Sequence, residues 1–352
     1  MSQRMNRQIR LIARPGGLPK PADFETTTTP VPDIDDGQVL VRHLYLALDP
    51  AIRNWMDDYE DSYIPPIQLG DVVTAISIGQ VVESRHDDFA PGDLTWHIGG
   101  WEEYRVLGID GMRQVRGLTK LAPDPELPLS NYLSICGTTG LTSLFGMLDV
   151  GRPALGDTVL VSGAAGAVGS VAGQIAKNVR QCRVVGIAGG AEKCRWITEE
   201  CGFDVAIDYK DTADMRTAIA AACPNGIDVF FDNVGGDILD AALMNLNFGA
   251  RVVMCGSISN YGEGVDSSGP KNMWQLLVKN ASVAGFTVAH YGDKWDEGTR
   301  LLERWRKAGF IQSREEVVSG LDNTLDTFLK LFTGGNRGRL LMKIFDRDDP
   351  LD

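Results

Sequence analysis

The chain has 352 residues, with 34 Lys and Arg against 47 Asp and Glu, for a formal net charge of −13 at pH 7. Its length leaves room for two domains of ordinary size and excludes a small disulfide-stapled or metal-only module. The acidic balance speaks against nucleic acid as a partner, since phosphate backbones need a clustered basic surface.

Hydrophobic residues at 43% and charged residues at 23% match a globular protein. The six cysteines, Cys136, Cys182, Cys194, Cys201, Cys223 and Cys255, include no C-x-x-C pair, so neither a disulfide framework nor a structural zinc is expected. The segment Met1 to Arg10 lacks an apolar signal core, and no run of roughly 18 apolar residues occurs. The expectation is a cytoplasmic protein with no membrane partner.

From about Asn6 to Pro128, short alternating runs (Val39 to Tyr45, Val72 to Val82, Tyr104 to Leu107) punctuated by Pro and Gly predict antiparallel β structure, with a turn at Asp36-Gly37. Beyond Pro128 strands and helices alternate. Strands are predicted at Thr158 to Ser162, Arg183 to Ala188, Val205 to Ile207, Ile227 to Phe231 and Arg251 to Cys255, with helices at Ser170 to Arg180, Ala191 to Cys201, Ala213 to Ala222 and Asp237 to Leu246. Apolar strands separated by helices of about 10 to 15 residues predict a parallel doubly wound sheet. Helices at Thr299 to Ala308 and Thr324 to Phe332, a short strand at Glu316 to Val318 and a closing strand at Arg339 to Ile344 follow, the last expected to return to the first domain's sheet.

The segment Thr158 to Lys177 (TVLVSGAAGAVGSVAGQIAK) reads as strand, small-residue turn and helix. Its turn runs Ala164-x-Gly166-x-x-Gly169, a dinucleotide fingerprint with Ala at the first position, and Gly166, Ala167, Val168 and Gly169 are the candidate pyrophosphate cradle. A dinucleotide site selective for NAD carries an acid at the end of the second strand. Here that strand ends in Ala188-Gly189-Gly190 with Lys193 close behind, which suits the 2′-phosphate of NADP(H).

These residues, with Asn6 to Pro19 (NRQIRLIARPGGLP), Leu46 to Met56 (LALDPAIRNWM), Gly163 to Ser170 (GAAGAVGS), Ile207 to Lys210 (IDYK), Asp232 to Gly236 (DNVGG), Cys255 to Tyr261 (CGSISNY) and Gly334 to Ile344 (GGNRGRLLMKI), follow a familiar order. The chain resembles the zinc-independent medium-chain dehydrogenase/reductases, in the branch of prostaglandin reductases, leukotriene hydroxydehydrogenase, plant alkenal double-bond reductases and bacterial curcumin reductases. The resemblance implies an α/β protein with a Rossmann domain (129–310) inserted into a GroES-like, mainly β catalytic domain (1–128 and 311–352), NADPH in the cleft, and a homodimer. It further implies that Lys193 and Tyr209 grip the 2′-phosphate. Asn233, the stretch Cys255, Gly256, Ser257, Ile258 and Tyr261, the strand Phe286, Thr287 and Val288, and Asn336 would line the ribose, pyrophosphate and nicotinamide. Residue by residue, Tyr209 also reads as a strand-end aromatic, Asn233 as a helix cap and Asn336 as a turn former.

Zinc-dependent relatives carry a Cys, a G-H-E motif and a four-Cys lobe. Here Asp71 stands in the matching glycine-led strand start, no Cys precedes Cys136, and the four histidines (His43, His86, His97, His290) have no ligand spacing, so no metal is expected. Conjugate reduction suits such a site: hydride adds to the β-carbon of an enone or enal while charge develops on the carbonyl oxygen. Tyr261, or a cofactor ribose hydroxyl, is the expected donor to that oxygen. Some family members carry another tyrosine where this chain has Val278. Arg53, Trp55, Met56, Tyr59, Tyr63 and Trp274 are candidates for an apolar substrate pocket, or for packing. The alternatives are a quinone reductase or an alcohol dehydrogenase on the same fold, and, outside enzymes, an NADPH-binding structural or sensor protein.

Overall fold

The computed structural model describes residues 4–59, 64–108, 117–261 and 269–351. They divide into two compact units, one of residues up to 133 with 316–336 and 340 onward, the other of residues 134–315 and 337–339.

The first unit begins with an antiparallel pair, β1 (Met5–Leu11) and β2 (Phe24–Pro30). Strands β3 (Val39–Leu48), β4 (Thr74–Ser84), β5 (Leu94–Gly100), β6 (Tyr104–Leu107) and β7 (Thr119–Lys120) follow, with a one-turn helix α1 (Ile52–Trp55) between β3 and β4. β3 runs VLVRHLYLAL with almost every side chain buried, which is what a strand covered on both faces requires. It pairs with β4 on one side, and with β6 at Val39 to Arg42 on the other. The core beneath gathers Leu46, Leu48, Ile52, Trp55, Met56, Trp101 and Phe328.

Two histidines are sealed into this unit. The Nδ1 of His43 lies 2.7 Å from the Glu102 carbonyl, an acceptor only, so that nitrogen carries the proton. Its Nε2 therefore accepts from His97 Nε2 at 3.0 Å, and His97 Nδ1 accepts from Thr95 Oγ1 at 3.1 Å. In this arrangement both rings are neutral. Burial holds both rings below the usual imidazole range, with the His43 ring lowering His97 further.

The second unit holds α2 (Thr138–Phe145), β8 (Thr158–Val161), α3 (Ala167–Gln174), β9 (Arg183–Ala188), α4 (Ala191–Arg195), β10 (Val205–Asp208), α5 (Met215–Ala222), β11 (Ile227–Asp232), α6 (Gly236–Leu243), β12 (Leu246–Met254), α7 (Trp274–Val278), β13 (Ser282–Gly285) and α8 (Trp295–Lys307). Its six strands are parallel in the order β10-β9-β8-β11-β12-β13. The first strand in sequence, β8, thus lies mid-sheet, and the order reverses between β8 and β11. Ligands of doubly wound sheets bind beyond the carboxyl ends of the strands at that reversal.

The chain then returns to the first sheet through β14 (Glu315–Ser319), α9 (Thr324–Thr333) and β15 (Arg339–Lys343), and Leu340 to Lys343 pair antiparallel with β3. Two expectations on strands need correcting. β12 begins at Leu246, five residues before the predicted start, because the β11–β12 register slips between Ile227 and Val229 and takes up Gly249 at φ 76°. The segment Phe286 to Val288 is not a strand: β13 ends at Gly285, and a tight helical turn starts at Val288.

Candidate cofactor and catalytic site

At the reversal point, β8 runs into Ser162 and then Gly163, which adopts φ 57°. The turn is closed by Gly166 N–H donating to the Gly163 carbonyl at 2.9 Å and tied to β9 by Ala164 N–H donating to Ile187 O at 3.0 Å. A β-carbon on Gly169 would overlap the Gly163 carbonyl, so glycine there lets α3 sit directly on the turn. Among the described residues no side chain caps α3 at Gly166. Its first amides point out at the sheet end with the positive end of the helix dipole behind them.

At the tip of β9, a β-carbon on Gly189 would lie 2.7 to 2.9 Å from Cε1, Cζ and the hydroxyl oxygen of Tyr209. The phenol therefore occupies the space that a side chain would have filled, and it is 43% exposed. Lys193 stands half-buried on α4 just beyond. A carboxylate does approach this tip: Asp208 Oδ1 accepts from Gly190 N at 2.8 Å and Lys210 N at 3.0 Å. Reading β9 alone misses it because it comes from the neighbouring strand, and two amides already balance its charge. Glu192 is paired with Arg337 at 3.1 Å.

Asn233 does not cap α6. Its Nδ2 donates to the Ser162 carbonyl at 2.7 Å and its N–H to Ser162 Oγ at 2.8 Å, joining the ends of β8 and β11. The segment after β12 is held by Cys255 N and Gly256 N donating to Asp232 O at 2.9 and 3.1 Å, and by Ser259 N donating to Val234 O at 3.1 Å. The turn ends at Tyr261, half-buried, with its hydroxyl 3.5 Å from Ser257 N. Burial pushes the Cys255 thiol up to about 12, with the Asp232 carboxylate adding to the effect, so it stays protonated and is no nucleophile. Phe286 packs into the gap left by Gly146, and among the described residues Thr287 keeps a buried hydroxyl with no hydrogen-bond partner. A buried orphan hydroxyl and an uncapped glycine turn at the strand ends are features that a bound dinucleotide would satisfy.

The substrate candidates scatter. Trp55 and Met56 are sealed in the first unit's core. Arg53 is buried, with its guanidinium donating to Gly17 O, Pro15 O and Asp57, which makes it a staple of the segment around α1. Tyr59 reaches the surface, Tyr63 lies outside the described residues, and Trp274 is 67% exposed on α7. Asn336 lies in a turn between Gly334 at φ 68° and Gly338 at φ 71°.

Residues 7–115 match the family model described as the N-terminal domain of oxidoreductase, and residues 167–304 match the one described as zinc-binding dehydrogenase. The NADPH-dependent curcumin reductase of Escherichia coli is 40% identical over 348 residues, covering 97% of this chain and 98% of the relative. The chain belongs to the medium-chain dehydrogenase/reductases. Within that family it falls in the branch of prostaglandin, alkenal and curcumin reductases, as expected. The NADP+-dependent 2-alkenal reductase of Nicotiana tabacum is 36% identical over 343 residues (96% and 97% of the two chains). The crystal structure of CurA from Vibrio vulnificus in complex with NADPH superposes with a TM-score of 0.88 at 38% identity, covering 97% of this chain and 99% of that one. Among the described residues no group of three or more His, Cys, Asp or Glu is placed to hold a metal ion, and no helix is long and apolar enough to cross a membrane.

Proposed function

We propose that this medium-chain reductase is an NADPH-dependent reductase of the carbon-carbon double bond in α,β-unsaturated ketones and aldehydes, acting in the cytoplasm. What carries the reading is the tip of β9, where Gly189 is overlaid by Tyr209 beside Lys193, in a chain matched over nearly its whole length by NADPH-dependent curcumin and alkenal reductases. NADPH, when bound, supplies the hydride that adds to the β-carbon.

The chain's own residues do the rest. Gly166 to Gly169 and the first amides of α3 hold the pyrophosphate, Lys193 and Tyr209 the 2′-phosphate. Asn233, Cys255 to Ile258 and Phe286 to Val288 are the residues of the second unit that would hold the ribose and nicotinamide. Tyr261 presents its phenol to the carbonyl oxygen as negative charge develops there, and the α-carbon takes its proton from solvent or from the same hydroxyl. Purified protein, NADPH and a panel of enones, enals and quinones test the proposal. Loss of reduced-nicotinamide absorbance with a saturated ketone or aldehyde as product supports it; a hydroquinone product, or no turnover with any enone or enal, refutes it.

We also propose a homodimer. β13 edges its sheet and pairs only with β12 among the described residues, and the neighbouring α7 exposes Trp274, Leu277 and Val278. A second copy covers both features at once, by strand pairing and by apolar burial. Light scattering should give twice the chain mass, and Leu277→Glu should shift it to the monomer; a wild-type monomer at micromolar concentration overturns this.

A further inference from the structure

Beneath the segment that carries Tyr261 lies a buried carboxylate with no part in the chemistry above. Asp232, the last residue of β11, is 1% exposed. Among the described residues it is balanced by hydrogen bonds and not by a cation. Its Oδ1 accepts from Ser162 Oγ at 2.6 Å, Val234 N at 3.0 Å and Gly235 N at 3.1 Å, and Oδ2 also lies 3.1 Å from Gly235 N. Desolvation raises its pKa, and these donors pull against that shift.

The position of these bonds matters. Val234 and Gly235 are the lead-in to α6, with Gly235 as its N-cap residue. An internal carboxylate takes the amides of that lead-in, whereas among the described residues α3 has no side-chain cap. The same residue's carbonyl accepts Cys255 N and Gly256 N, and Ser162, its hydroxyl partner, is bonded twice to Asn233. Asp232 thus ties together the ends of β8, β11 and β12. Gly235 and Gly236 follow at φ 73° and 56°, packed so closely on Ser257 and Ser259 that a β-carbon at either would overlap their hydroxyls.

We infer that Asp232 is a positioning residue for the reduction: it locks the Asn233 to Gly236 turn, and through that turn it sets where Asn233 and the Cys255 to Tyr261 segment stand. An aspartate outdoes asparagine because every group facing it is a donor. The amide of an asparagine would point an N–H at the Gly235 N–H or the Ser162 hydroxyl. The inference rests on Tyr261 and Asn233 serving the bound substrate and cofactor as proposed above.

The test measures Asp232→Asn, Ser162→Ala and Tyr261→Phe side by side, with melting temperature, NADPH affinity by fluorescence titration, and kcat and KM for an enone. The expected result is that D232N lowers kcat and weakens NADPH binding, each about tenfold, as for loss of a charge-assisted hydrogen bond. S162A should shift both in the same direction by less, and kcat should fall by more than the enone KM moves. If D232N does not fold, S162A decides alone. Lower melting temperature with kcat and NADPH affinity unchanged in every folded variant overturns the inference. Should Y261F keep full kcat while D232N loses it, the role of Tyr261 fails and the positioning of the cofactor turn stands.

Discussion

Replacing Gly189 by alanine adds one methyl group and isolates the contribution of Tyr209. The backbone at Gly189 is not in the left-handed region, so an L side chain is conformationally allowed. The new β-carbon would stand 2.7 Å from the nearest Tyr209 ring atom. Restoring an ordinary carbon contact of roughly 3.5 Å drives the phenol off by about 0.8 Å. Because the ring is half exposed, it can swing outward at little cost in stability. A phenol-to-phosphate hydrogen bond lengthened by that much is no longer one. Such a bond to a charged group is worth about 1.5 to 3 kcal/mol, so the dissociation constant for NADPH should rise about ten- to a hundredfold. NADH has no 2′-phosphate and should bind as before. Fluorescence titration with both nucleotides, with Tyr209→Phe alongside, reads the effect directly. Unchanged NADPH binding, or equal weakening of both nucleotides, would refute the placement of the 2′-phosphate over Gly189.

Further outcomes are expected. Lys193→Ala should raise the KM for NADPH about tenfold or more and barely affect NADH, by loss of a charge-assisted contact; parallel kinetics with the two cofactors check it. Gly169→Ala should cost about 1 to 3 kcal/mol in urea unfolding and weaken NADPH binding, since its β-carbon meets the Gly163 carbonyl. The His43–His97 pair should make the first unit acid-sensitive. Both rings are harder to protonate folded than unfolded, so the unfolded chain binds more protons below its own imidazole pKa of about 6.5. Stability is then full above that pH and falls as pH drops below it, by up to about 1.4 kcal/mol per pH unit for each ring. Urea unfolding at about pH 7.5 and 5.5 should show this loss, and His97→Gln should diminish it.

Much of the Rossmann unit was legible because its strands are short apolar runs set between helical stretches, and Arg183 to Ala188 was placed to the residue. The turn at Gly163 to Gly169 was legible for a related reason, since close backbone approach leaves glycine as the residue that fits. What stayed hidden was non-local. Asp208 and Asp232 look like ordinary strand-end acids until the fold brings amides and a hydroxyl from other segments onto them. Trp55 and Met56 carry the composition of a pocket lining, and only the packing of α1 against β3 and Phe328 shows them to be interior. β12 begins before Arg251 because a register slip absorbs Asn247 and Gly249, turn formers by residue type, inside the strand.

The pairing of Leu340 to Lys343 with β3 also bears on how the chain is made. Residues 45 to 48 of β3 gain that neighbour only after residues 340 to 343 have been made, whereas all six strands of the parallel sheet are made well before. Synthesis therefore presents the inserted unit first and leaves the unit begun earliest waiting, with an apolar strand edge bare in the nascent chain. A transcript truncated just before residue 339 would release a product whose nucleotide-binding sheet is whole and whose β3 edge is open to intermolecular pairing, so aggregation is the expected fate of such a fragment.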